Sequence, residues 1–276
     1  MKGRAAWIIV AAIGALAIAG LARTAHAVAP VQKLPTLRVC ADPNNLPYSN
    51  WREEGFENRL AVMAARDLGR SVQYDWSAQR RGYLRNTLNA NACDVLMGVP
   101  TRLARVATTR PYYRSTYVFV ERRSRHLGIS SLDDPRLRNL KVGVQLIGDD
   151  FQNSPPAHAL SRRGIVRNVV GFTVYGDYRR PTPPADIVRA VARGSVDAAL
   201  VWGPLAGYFA KNGATPLDVT PVLPRSDGPA LPFVFDISIG VRHGDEALRQ
   251  RLDAFVARHQ PEITALLGEY GVPLVN

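Results

Sequence analysis

The sequence has no G-x-S-x-G elbow, no H-E-x-x-H pair, no phosphate-binding glycine-rich loop and no convincing Cys–His couple. That removes the common hydrolase, metalloprotease and nucleotide-dependent classes. Cysteine is nearly absent: Cys40 and Cys93 stand alone, and neither belongs to a C-x-x-C pair. The five histidines show no ligand spacing, so no metal site is expected. Lysine is scarce too, with only Lys2, Lys33, Lys141 and Lys211 among 35 basic residues. The net charge of +12 is therefore carried by arginine, and the arginines are scattered. Scattered charge excludes a concentrated nucleic-acid face and fits, at most, long-range steering toward an acidic partner. The acidic pairs Glu53-Glu54 and Asp133-Asp134 sit in polar turns and read as solvated.

Long apolar runs are missing everywhere except at the start. There, Lys2 and Arg4 precede "AAWIIVAAIGALAIAGLA", and "TAHAVAP" follows. Ala25 and Ala27 give the A-x-A spacing of a signal peptidase site, so residues 1–27 read as a cleaved secretory signal. The competing reading, an uncleaved anchor, suits a longer run without a cleavage site behind it. The expectation is an exported, periplasmic chain with no membrane span after cleavage. An oxidising compartment permits a Cys40–Cys93 disulfide, subject to a Cα separation that sequence does not fix.

What is present is an alternation of strand and helix patterns, which predicts an α/β fold with mostly parallel sheets. "LRVCA" (37–41), "VQYDW" (72–76) and "CDVLMGV" (93–99) are predicted strands. Between the first two, residues 55–69 form a helix with Phe56, Leu60, Met63, Ala64 and Leu68 on one face and Gly69 at its end. "RGYLRNTLNANA" (81–92) reads as a short helix and 115–123 as extended. The pattern then restarts with strands at 141–145, 169–175 and 197–202, a helix after "GDD", and a helix over 183–194 with proline at its start. Residues 232–241 are extended. Two helices end the chain, the second opened by Pro261 and closed by Gly271. The expected architecture is two α/β lobes joined by two extended hinge segments, near 118–123 and 233–241. Lobe 1 takes 36–121 plus 230–276, and lobe 2 takes 122–229. A ligand cleft is expected beyond the carboxyl ends of the strands.

On these landmarks the chain resembles the type II periplasmic solute-binding proteins, in the family serving amino-acid ABC transporters. The carriers are "LRVCADPNNLPYSN", "GFENRLAVMAARDLG", "CDVLMGVPTRLARVATTRPYYRSTYVFV", "SLDDPRLRNLKVGVQ" and "SVDAALVWGPLAGYF", in that order. The stretches "PNNLPYSN", "QRRGYLRNTLNA", "GVQLIGDD", "PPAHALSRRGIV", "VYGDY" and "VWGPLAGYFA" resemble more closely the MoxJ/XoxJ group, accessory proteins encoded beside PQQ-dependent methanol and alcohol dehydrogenases. The resemblance implies a non-enzymatic role in maturing or activating such a dehydrogenase, with no cofactor of its own. The alternative is the binding component of an ABC importer for a small non-amino-acid solute, aromatic or apolar. An enzyme on this fold is the weakest reading, since no acid/base constellation appears.

The resemblance also shows what has changed. Amino-acid binders hold the ligand carboxylate with an arginine and helix-start hydroxyls, and the ammonium with an aspartate. Arg102 in "PTRLARV" matches the arginine, whose planar fork suits a carboxylate; a surface or inter-lobe salt bridge is the alternative. Asp149 and Asp150 stand where a hydroxyl would help, either as helix caps or as a charge that repels an anion. An Arg102 latch to Asp149 or Asp150 is a further expectation. Trp202 stands in the position of the ammonium-binding aspartate, and an indole has no charge to pair with an ammonium. It either packs between lobes or stacks on a ligand. The other cleft candidates are Tyr48, Arg80, Arg81 and Tyr112 with its neighbour Tyr113. The loop "VYGDYRRPTPP" (174–184) reads as a docking surface or a plain connection.

Overall fold

The computed structural model describes residues 34–147, 153–174 and 177–276. The expected export signal (1–27) and the candidates Asp149 and Asp150 lie outside the described residues. The strands are β1 (Thr36–Ala41), β2 (Asn44–Asn45), β3 (Ser49–Asn50), β4 (Ser71–Trp76), β5 (Val95–Pro100), β6 (Ala107–Arg122), β7 (Val142–Leu146), β8 (Val169–Thr173), β9 (Ala198–Trp202), β10 (Leu217–Pro221) and β11 (Val234–Val241). The helices are α1 (Phe56–Asp67), α2 (Tyr83–Asn86), α3 (Pro155–Arg162), α4 (Asp186–Ala192), α5 (Gly203–Asn212), α6 (Glu246–Arg258) and α7 (Gln260–Glu269).

The fold is mixed α/β. One sheet runs in the order β4-β1-β5-β11-β6-β9-β7-β8, with β10 also paired to β6, and β2-β3 form a small separate hairpin. Each end of the sheet is parallel: β1 pairs β4 and β5, and β7 pairs β8 and β9. The middle is antiparallel because β6 and β11 run the other way. The 16-residue β6 is the continuous element, pairing β11 along its first part and β9 and β10 along its last.

Apolar faces explain the layering. α1 buries Phe56, Leu60 and Ala64 of the predicted stripe together with Ala61 and Ala65, in one cluster with Leu68, Leu37, Val39, Leu252, Phe255 and Leu267, while Met63 is only partly buried against it. In the second half, β9 is buried on both faces: Ala199 and Val201 meet α4 and α5, while Leu200 meets Phe119, Val144 and Leu160. A continuous apolar run such as "AALVW" is what a strand covered on both sides requires.

Cys40 and Cys93 are joined by a disulfide, with Cα atoms 5.3 Å apart. It sits in a small apolar cluster with Leu88, Leu96, Val99 and Val106.

Two predicted elements differ. The helix over 81–92 is only the single turn α2. Gly82 before it is left-handed (φ 84°), Thr87 Oγ1 donates to the Tyr83 carbonyl, and Asn91 is left-handed as well (φ 60°). Asparagine and threonine bond their own backbone and compete with helix continuation. The segment over 183–194 begins as a 3-10 turn, Pro183–Ala185, before α4.

Candidate functional site

A cavity of about 340 Å³ lies at the carboxyl ends of β1, β5, β7 and β9. Its described walls are built from elements far apart in sequence. Asp42 follows β1, Tyr48 comes from the β2–β3 hairpin, Glu57 from the first turn of α1, and Gly98 and Val99 from β5. Tyr113 and Tyr117 come from β6, Gln145 from β7, Trp202 from β9, and Phe235 and Ile237 from β11. Tyr178 closes it from the loop before α4.

Trp202 is held through its backbone and by two neighbouring rings. Its backbone N–H donates to Gln145 Oε1 at 2.8 Å, and it precedes Pro204 in the first turn of α5. The indole meets Tyr117 edge-on at 5.3 Å and Phe235 at 5.8 Å between ring centres. It therefore wedges between the two halves of the sheet and lines the cavity at once. Edge-to-face aromatic contacts of this kind contribute roughly 0.5–1.5 kcal/mol each beyond area burial.

Two carboxylates face the cavity, and they differ. Asp42 is buried and saturated: Oδ1 accepts from Asn44 N–H at 2.8 Å, and Oδ2 accepts from Gln79 N–H at 2.8 Å and from the Tyr178 hydroxyl. The Glu57 carboxylate has no hydrogen-bond or ion-pair partner among the described residues. Burial, and secondarily the charge of Asp42, push its carboxyl up to about 8. A glutamate at a helix N-terminus is ordinarily favoured in its charged form; here desolvation outweighs that. Gly98 makes the room, because a methyl at that position would overlap Glu57 Oε1. The phenols of Tyr48 and Tyr113 are held well above their usual range, first by burial.

The two halves of the sheet are tied together on either side of the cavity. On one side Asn44 Nδ2 donates to the Arg180 carbonyl at 2.9 Å, and Thr182 N–H donates back to Asn44 Oδ1 at 2.8 Å. On the other, α5 packs on the C-terminal turn, where a methyl at Gly207 would overlap the Gly271 carbonyl oxygen.

Tyr48 and Trp202 of the sequence candidates line the cavity. The others are placed elsewhere. Tyr112 is a core residue, 1% exposed, because successive strand residues face opposite ways and Tyr113 takes the cavity side. Arg102 is exposed on a left-handed turn (φ 64°) after β5, away from the cavity wall, and has no ion pair among the described residues. Arg80 stacks over the Tyr178 ring from outside, 4.8 Å from its centre, and Arg81 is exposed. Glu57, Asp42, Tyr178 and Phe235 were not singled out from sequence. Asp42 had a usable signal, a carboxylate one residue past the end of a strand. Glu57 had none, since an acid in a first helical turn looks like a surface cap.

Among the described residues no group of His, Cys, Asp and Glu is placed to hold a metal ion, and no helix is long and apolar enough to cross a membrane.

With this geometry in hand, comparison with known proteins gives consistent results. The family model for bacterial extracellular solute-binding proteins, family 3, matches residues 37–270. Protein MoxJ of Methylorubrum extorquens is 34% identical over 248 residues, 87% of this chain and 82% of that protein. The crystal structure of MxaJ from Methlophaga aminisulfidivorans MPT superposes with a TM-score of 0.75 at 30% identity, covering 87% of this chain and all of that one. The crystal structure of periplasmic binding protein XoxJ from Methylobacterium extorquens AM1 gives 0.71 at 34% identity, covering 87% and 99%. The fold is that of the type II periplasmic binding proteins.

Proposed function

Because the chain belongs to the bacterial extracellular solute-binding proteins, family 3, we propose that it is a periplasmic, non-enzymatic accessory protein of that family. It assists the maturation or activation of a PQQ-dependent methanol or alcohol dehydrogenase by binding it. The observation that carries this reading is the similarity, along 87% of the chain, to MoxJ and XoxJ. The cavity supports it from the other direction. Its described wall holds two carboxylates and no arginine, lysine or histidine, so an amino-acid carboxylate has no charged partner among those residues. Trp202 stands where an ammonium would need a charge. In this reading residues 36–121 plus 230–276 form one lobe, 122–229 the other, and the clasped cleft holds them as one docking body.

The test is a tagged chain recovered from the periplasm of its own host. The dehydrogenase is expected to co-elute, and a deletion strain is expected to accumulate dehydrogenase with reduced holoenzyme activity. Normal holoenzyme in the deletion strain overturns the reading. A second reading, the receptor of an importer for a non-amino-acid solute, is favoured by the cavity of about 340 Å³ at the strand ends. It requires loss of uptake of that solute on deletion.

A further inference from the structure

The chain carries 35 basic residues against 23 acidic ones, yet the described cavity wall inverts that balance completely. Asp42 is already satisfied by three donors. Glu57 is not: its carboxyl group has no hydrogen-bond donor among the described residues, and it faces a mainly aromatic and aliphatic wall in which Asn45, Gln79 and Gln145 are the uncharged amides. An unpaired carboxylate held largely away from water is costly unless something pairs with it. Aromatic faces carry negative charge density and attract cations, the more strongly where the cation is desolvated. Both features select for the same ligand sign.

We propose that this cavity is a binding site for a small organic cation, an amine or quaternary ammonium with an apolar body and no carboxylate, paired with Glu57 between Tyr48, Tyr113, Tyr117, Trp202 and Phe235. The carboxylate of an amino acid finds no cation among the described wall residues, so zwitterions and anions are disfavoured. Gly98 matters because a side chain there would displace the Glu57 carboxylate. The proposal does not depend on the dehydrogenase partnership, since binding is read on the isolated chain.

Protonation follows from the same geometry. The titratable groups that share a field with Glu57 are Asp42, the cavity-lining phenols of Tyr48 and Tyr113, and the core phenols of Tyr83 and Tyr112; burial holds all four phenols protonated. With Glu57 raised to about 8, the empty site is protonated at neutral pH, and a bound cation expels that proton.

The experiment is calorimetric titration of the exported chain with matched probes: benzyltrimethylammonium and phenethylamine as cations, phenethyl alcohol as the neutral form, 3-phenylpropionate as the anion, phenylalanine as the zwitterion. The cations are expected to bind at least about tenfold more tightly than the alcohol, and the anion and zwitterion not to bind. Benzyltrimethylammonium has a pH-independent charge, so its affinity is expected to rise more than about tenfold from pH 6 to pH 8. At pH 7 binding is expected to release a proton, seen as a buffer-dependent heat. Glu57→Gln is expected to lose about tenfold in cation affinity and the pH dependence, with an unchanged circular dichroism spectrum. Equal binding of phenylalanine or 3-phenylpropionate in the wild-type chain overturns the proposal. So does failure of both cations to bind, or a Glu57→Gln chain that binds them as before.

Discussion

At the residue scale Glu57 sets the behaviour of the site and of the folded protein. An isolated glutamate titrates near 4.5, and in the folded chain Glu57 is raised to about 8. Between those two values the folded state holds a proton that the unfolded state has lost. The sign follows: stability falls as pH rises through this window, by at most about 1.4 kcal/mol per pH unit from this group. Glu57→Gln keeps the shape and removes the titration. We expect the melting temperature of the variant to decline less between pH 5 and 8 than that of the wild-type chain, and to exceed it at pH 8. Parallel declines in the two proteins would mean that Glu57 is better solvated than its surroundings indicate. Trp202 gives a second residue-scale expectation. Trp202→Ala removes two edge-on ring contacts and opens a hole between the halves of the sheet. A loss of about 3–5 kcal/mol is expected in urea unfolding, the usual cost of truncating a large aromatic at a packed site.

At the scale of elements, α5 is the instructive case. It begins at Gly203-Pro204, where proline suits the first turn, and it carries two glycines that a helix would ordinarily disfavour. The reason is close approach. Gly203 meets Pro273 and the Thr116 carbonyl, and Gly207 meets the Gly271 carbonyl. Beside them Tyr208 stacks on Tyr270 at 5.7 Å, and Lys211 Nζ donates to the Glu269 carbonyl at 2.8 Å. A methyl at Gly207 would force α5 off the C-terminal turn. Gly207→Ala is therefore expected to destabilise by about 1–3 kcal/mol despite the higher helix propensity of alanine. A stabilised variant in chemical denaturation would show that this contact is looser than described. The loop before α4 gives the complementary lesson. Its arginines and prolines read as a docking surface or a plain connection; Tyr178, Arg180 and Thr182 also bond to Asp42 and Asn44 across the cleft.

At the scale of the whole molecule, the disulfide and the continuous β6 hold distant parts together. Cys40 and Cys93 are 53 residues apart, and bridging a loop of that length restricts the unfolded chain by about 4 kcal/mol. Reduction, or the Cys40→Ser/Cys93→Ser double variant, is expected to lower unfolding stability by a loss approaching that figure. No loss would place the stabilisation entirely in the apolar cluster around the sulfurs. β6 crosses from one half of the sheet to the other without interruption, while β11 pairs only in the first half. Of the two expected crossings, the strand at 118–123 is thus the end of a long ladder. The return crossing falls just before β11, where Tyr117 N–H donates to the Phe233 carbonyl.

The sequence by itself determined the order of strands and helices, the apolar face of α1, the doubly buried β9 and the fold class. These depend on periodicity and local stereochemistry, which the chain carries residue by residue. It also marked Trp202 and Tyr48 as cavity residues, through their places at strand ends and loops. Only the tertiary structure decided which cysteine geometry closes, which of Tyr112 and Tyr113 turns inward, and that Arg102 stays outside. Above all it decided the charge of the site. Positions 42, 57 and 178 have no local relation in the sequence. Packing brings them to one cavity, saturates Asp42 and leaves Glu57 without a partner among the described residues, in surroundings that solvate its charge poorly. A carboxyl group's protonation depends on that surrounding medium, and the medium exists only once the chain has folded.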